Sequence, residues 1–245
     1  MLPQLIGIGP INIPTFGIFA AISFVAFSFT LWRNLRDDYL EEDILTFTIL
    51  AAVFFLLGGR ILYLVDHFFE FGSNILSWLL FPLYPGFSMV GAFLGASLFT
   101  YFWATNKKWN FWVIADTAIL SFLAVVLICL LGYVFIQGLN TALLIQVLLT
   151  ILALAAYFLL KNTYRKFIWY KSGKPGFTAT TITAIYFLGL FGLDLYTRSV
   201  LYFHLLATLA TVVVALFFLY KLSGRKLKED LSGLPKIVIK LPIRK

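Results

Sequence analysis

The chain is 245 residues long, 61% hydrophobic, 18% aromatic and only 12% charged, about half the charge that soluble domains usually carry. Its mean hydropathy of +0.94 excludes a soluble globular domain, a disordered chain and a disulfide scaffold. The net charge of +8 therefore reads as membrane orientation rather than nucleic-acid binding. The single cysteine, Cys129, leaves no disulfide framework and no thiolate metal cluster.

From the N-terminus onward, apolar runs of about 20 residues follow one another between short polar breaks. They predict seven membrane-spanning helices, at 13–32, 44–65, 87–105, 111–134, 141–160, 177–196 and 200–220. At about 1.5 Å of rise per residue, each can cross a hydrocarbon core of about 30 Å. Barrel strands would alternate apolar and polar residues, whereas these runs are apolar all round. The fold class expected is an all-α integral membrane protein, with one membrane domain over 1–220 and a basic tail over 221–245.

Lysine and arginine set the expected orientation. Seventeen of the 19 basic residues lie in the loops 33–43, 106–110 and 161–176 or in the tail, all on one side of the predicted helices. The positive-inside rule makes that side cytoplasmic and puts the N-terminus outside. Met1 to Pro14 has no basic stretch and no cleavage site follows, so a cleaved signal peptide is not expected. The C-terminal residues carry no lipidation signal, and no internal repeat suggests an inverted-repeat transporter. The tail reads either as a membrane-surface segment near anionic lipid or as simple topology retention.

Charges at membrane depth are costly, so each is a functional candidate. Span two ends in Gly58-Gly59-Arg60-Ile-Leu-Tyr63-Leu-Val-Asp66-His67. Arg60 and Tyr63, three apart, share a helical face. A guanidinium there can grip a lipid phosphate bidentately, or it can snorkel or pair with Asp66. Asp116, near the start of span four, reads as a helix-to-helix hydrogen-bonding group or an interfacial residue. Asp194 and Arg198 bracket the end of span six, four apart, and can pair. His204, just inside span seven, reads as a satisfied interior histidine or a functional one.

The segment 67–86 is aromatic and holds no lysine or arginine; Trp78, Phe81 and Tyr84 suit an interfacial element between spans two and three. It leads into Gly86-Phe-Ser88-Met-Val90-Gly91-Ala-Phe-Leu-Gly95. The glycines fit either small-residue helix packing or a loop where a headgroup meets backbone amides. No P-loop, HExxH, GxSxG or His/Cys ligand set is present, and no cofactor or metal is expected.

In order and depth, these segments resemble those of the prolipoprotein diacylglyceryl transferases, seven-span enzymes of the bacterial inner membrane. The resemblance covers about residues 9–220. It rests on Gly9-Pro-Ile with Phe16-Gly17, on Gly59-Arg60-Ile-Leu-Tyr63, and on Gly86 to Gly91 followed by Gly95. Ala115-Asp116, Lys174-Pro175-Gly176 and Asp194 to Arg198 complete it. The resemblance implies transfer of diacylglyceryl from phosphatidylglycerol to the cysteine thiol of a lipoprotein precursor, releasing glycerol phosphate. It implies catalytic roles for Arg60 and Arg198, and substrate binding by Tyr63, Gly86, Ser88, Gly91, Asp116 and Asp194.

Departures fall where chemistry is expected. Val90 stands where the family has a motif histidine, and Phe16 where it has a tyrosine. Leu130 and Tyr133 replace an arginine and an asparagine, and Arg198 sits one residue late. His67 and His204 are substitutes in residue type for the missing base. The alternatives are a relative that keeps the lipid pocket without the chemistry, as a lipid-binding or scaffold protein, and a small transporter.

Overall fold

The computed structural model describes residues 5–8, 11–68, 86–170, 172–197 and 202–225. Arg198, the tail beyond Arg225 and the segment 67–86, apart from His67, Phe68 and Gly86, lie outside the described residues.

Long helices occupy all seven predicted stretches: α1 Thr15–Leu35, α2 Glu41–Asp66, α3 Met89–Lys107, α4 Phe111–Gln137, α5 Thr141–Thr163, α6 Phe177–Thr197 and α7 Tyr202–Leu222. Among the described residues, six of these, all but α3, are long and apolar enough to cross a membrane. In α3, Ser97, Thr100, Tyr101, Trp103, Thr105 and Asn106 dilute the aliphatic content. Ahead of α1, strand β1 (Leu5–Ile8) pairs antiparallel with β2 (Ile11–Pro14), Leu5 opposite Pro14. This hairpin fixes the start of α1 at Thr15, two residues later than the hydropathy suggests.

Short polar side chains start several helices by accepting otherwise unpaired N–H groups. Ser88 accepts from Gly91 N–H, Asn110 from Trp112 N–H, and Asn140 from Leu143 N–H. Helix α2 opens with Glu41, Glu42 and Asp43, carboxylates that favour the positive end of a helix dipole.

The closest pairings are α2 with α3, α1 with α4, and α6 with α7. Glycine decides the first. A Cβ on Gly58 would collide with the Gly91 carbonyl and with Gly95, and one on Gly91 with Gly58 and Leu62. Backbones this close are how membrane helices gain packing energy without a hydrophobic driving force. Large apolar side chains such as Val25, Leu98, Leu152 and Leu159 point outward, as lipid-facing residues do.

The bundle has two polar ends. At one, Lys107 Nζ meets Asp43 Oδ1 at 2.8 Å, and Tyr39 stacks on Trp109 with centroids 4.1 Å apart. At the other end lie the C-terminus of α2, the starts of α3 and α7, and the end of α6.

Candidate functional site

At that second end, Gly59, Arg60 and Tyr63 of α2 are locked onto the segment leading into α3. Ser88 N–H donates to the Gly59 carbonyl at 3.0 Å, and Arg60 Nη1 donates to the Gly86 carbonyl at 3.2 Å. Arg60 also lies over the Tyr63 ring, 5.8 Å from its centroid. Gly86 is pressed so closely to Tyr63 that a Cβ would overlap the ring. On its other side Tyr63 stacks on His67, centroids 4.1 Å apart. The phenol ring is thus a spacer between the α3 entry and the end of α2.

One helical turn further, three elements converge on an imidazole. His204, at the start of α7, places Nδ1 3.7 Å from Asp66 Oδ2 and Nε2 3.6 Å from Asp194 Oδ2. Ser88 Oγ lies 3.3 Å from the same Nδ1, and Asp66 also accepts from the His204 backbone N–H. The Asp66 side chain is only 4% exposed. Neither Asp66 Oδ1 nor Asp194 Oδ2 has a hydrogen-bond partner among the described residues. Two carboxyl side chains thus face one imidazole, one beside each ring nitrogen.

A cavity of about 2140 Å³ runs along the bundle, from Lys174 and Lys221 at one end to Gly86, Asp194 and His204 at the other. Its wall is overwhelmingly apolar, and it is larger than the roughly 300–1,000 Å³ of small-molecule pockets. Phe16, Val90, Leu130 and Tyr133, the four positions where the sequence departs from the family pattern, all line it. Phe16 and Tyr133 touch, with ring centroids 5.0 Å apart, and Val90 and Leu130 belong to one buried cluster.

The predicted site residues separate into three groups. Arg60, Tyr63, Gly86, Ser88 and Asp194 gather at the His204 end. Gly91 belongs to the α2–α3 contact, where its bare backbone is covered by Gly58 and Leu62. Arg60, Tyr63, Ser88 and Gly91 do not themselves line the cavity; Gly86, which anchors Arg60, and His204, which touches Ser88, do. Asp116 is at the opposite end, where its carboxylate accepts from Gly176 N–H and Ala179 N–H, each at 2.7 Å. It caps α6, the structural alternative raised by the sequence. Arg198 lies outside the described residues.

The convergence of Asp66 and Asp194 on His204 was not legible in the sequence. Each residue stands out as polar at membrane depth, but Asp66 and Asp194 lie 138 and 10 positions from His204 along the chain.

This is a multi-pass membrane protein with a long apolar cavity and a charged cluster at one end. The sequence profile of prolipoprotein diacylglyceryl transferase matches residues 3–225, and the chain belongs to that family. A search of curated proteins finds no match.

Proposed function

We propose that the protein transfers the diacylglyceryl group of a phosphatidylglycerol-type phospholipid to the cysteine thiol of a lipoprotein precursor, in a bacterial plasma membrane. All seven helices cross the bilayer in this reading, with the N-terminus and the His204 end outside and the 221–245 tail in the cytoplasm. The supporting observation is the placement of Arg60 next to the charged end of an apolar cavity with room for acyl chains: it does not line the cavity itself but is anchored to Gly86, which does. The reaction forms a carbon–sulfur bond and breaks the carbon–oxygen bond to phosphate, so negative charge develops on the departing glycerol phosphate. A guanidinium offers a planar fork of donors for such a group. Holding it by a backbone carbonyl sets its plane before the reaction, which is how electrostatic preorganisation lowers a barrier. No cofactor enters this scheme.

A second reading is favoured by the four cavity-wall replacements. With Val90 and Leu130 buried and apolar, the chain keeps a lipid-binding cavity and lacks two polar groups of the family pattern. In that case it is a phospholipid-binding or scaffold relative. Complementation of a transferase-depleted bacterium separates the two, scored by thioether-linked lipid on a reporter lipoprotein. Rescue by the natural chain supports transfer. No rescue by a chain that is well expressed and inserted supports the inactive relative.

A further inference from the structure

The transfer needs a proton acceptor, and the family's motif histidine is Val90 in this chain. Val90 is 1% exposed and packed within the bundle, so neither it nor its apolar neighbours can take a proton. The described residues hold two histidines, His67 and His204. His67 stacks on Tyr63 with Nδ1 3.0 Å from the Tyr63 carbonyl oxygen, and it does not line the cavity. His204 does; it touches Ser88, the N-cap of α3 two positions before Val90, and both Val90 and His204 border the same space.

We propose that His204 is the general base for the precursor thiol, held by Asp66 and Asp194, so that the base has moved from the start of α3 to the start of α7. This rests on the transfer reaction proposed above. His204 takes the thiol proton as sulfur attacks the glycerol carbon that carries the phosphate. The carbon–sulfur bond forms, the carbon–oxygen bond breaks, and its electron pair leaves on glycerol phosphate. The proton stays on the imidazole, now a cation between two carboxylates, until it passes to the departing phosphate or to water.

Three features of the structure favour this over a merely packed histidine. Asp66 and Asp194 approach the ring from α2 and α6, one on each nitrogen, at 3.7 and 3.6 Å. Both lie within ion-pair distance of the ring once it carries the transferred proton. Carboxylate oxygens without a hydrogen-bond partner among the described residues remain on both sides, ready to tighten onto a charged ring. The ring is also partly open, at 19% side-chain exposure, on the cavity wall. Ser88, by contrast, is 3% exposed and already caps α3, so it positions the ring and is no nucleophile.

The test uses the full chain in phosphatidylglycerol vesicles with two synthetic precursor peptides, one with a cysteine and one with a selenocysteine at the acceptor position. A selenol is ionised at neutral pH and needs no base. His204→Gln should lose on the order of 10²–10⁴-fold with the thiol peptide, the usual contribution of a general base. With the selenol peptide it should stay within about tenfold of the natural chain, since only the proton transfer is bypassed. That selenol activity also shows that the variant is folded. Full thiol activity in His204→Gln, or equal losses with both peptides, would overturn the assignment while leaving the transfer reaction in place. A natural chain inert towards both peptides would overturn the transfer reaction and the base together.

Discussion

Arg60 donates to the Gly86 carbonyl at 3.2 Å, across 26 positions of the chain. This bond joins the arginine motif of α2 to the glycine-serine motif before α3. Two segments that look independent in the sequence are therefore one structural unit, and disturbing either should disturb both.

The charge of Arg60 is the first thing to test. Arg60→Ala should lower transfer by on the order of 10²–10³-fold, the usual effect of losing a fixed electrostatic contact to developing charge. Arg60→Lys should restore only part of it, because an ammonium is a point charge without the planar fork. The measurement is thioether lipid on a reporter lipoprotein. Full activity in Arg60→Ala would remove this residue from the site.

Gly86 tests the anchoring. Its Cβ space is filled by the Tyr63 ring, so Gly86→Ala must displace the phenol or the α3 entry. Overpacking of this kind costs about 1–3 kcal/mol, and the thermal unfolding midpoint in detergent should fall. Pairing it with Tyr63→Leu, which clears the ring, should recover much of the midpoint. A midpoint unchanged by Gly86→Ala would contradict the close approach.

Gly58 and Gly91 test the helix contact. Gly58→Val and Gly91→Val should each destabilise α2 against α3, because the collision is with backbone that cannot rotate away. Two such substitutions in one contact should be less than additive, since the first already separates the helices. Thermal unfolding of the single and double variants measures this.

Asp116 should behave as a structural residue. Asp116→Ala leaves Gly176 N–H and Ala179 N–H unpaired, a loss of about 1–3 kcal/mol. Asp116→Asn keeps one acceptor oxygen and should fall between. At temperatures well below the midpoint, the Asn variant should transfer lipid at close to the natural rate. A large loss of transfer without loss of stability would return Asp116 to the substrate site.

The charge distribution predicts a topology that can be tested. A reporter fused after Lys245 should be cytoplasmic and one inserted within 67–86 external, because 17 of the 19 basic residues lie on one side of the predicted helices. A cytoplasmic reporter at 67–86 would overturn the orientation and the seven-span count with it.

The sequence by itself determined the class, the places of the helices and the family. Long apolar runs have one stable form in lipid, because a helix satisfies every backbone group within the segment. The motif order from Gly59-Arg60 through Gly86 and Ser88 to Asp194 was equally plain, since each polar residue stands out against an apolar background. Asp116 reads in the sequence as bonding a neighbouring helix or sitting at the interface, and choosing between them needed the partner amides of Gly176 and Ala179, 60 and 63 positions away. The roles of the glycines were likewise undecided until the structure separated Gly91, packed on Gly58, from Gly86, seated on Tyr63. Only the tertiary structure brought His204 between Asp66 and Asp194, and placed Phe16, Val90, Leu130 and Tyr133 around the same cavity. Hydropathy reports how each segment meets lipid and says nothing of which helix faces which. That is fixed by close approaches such as Gly58 against Gly91, where the shape of one helix selects its neighbour.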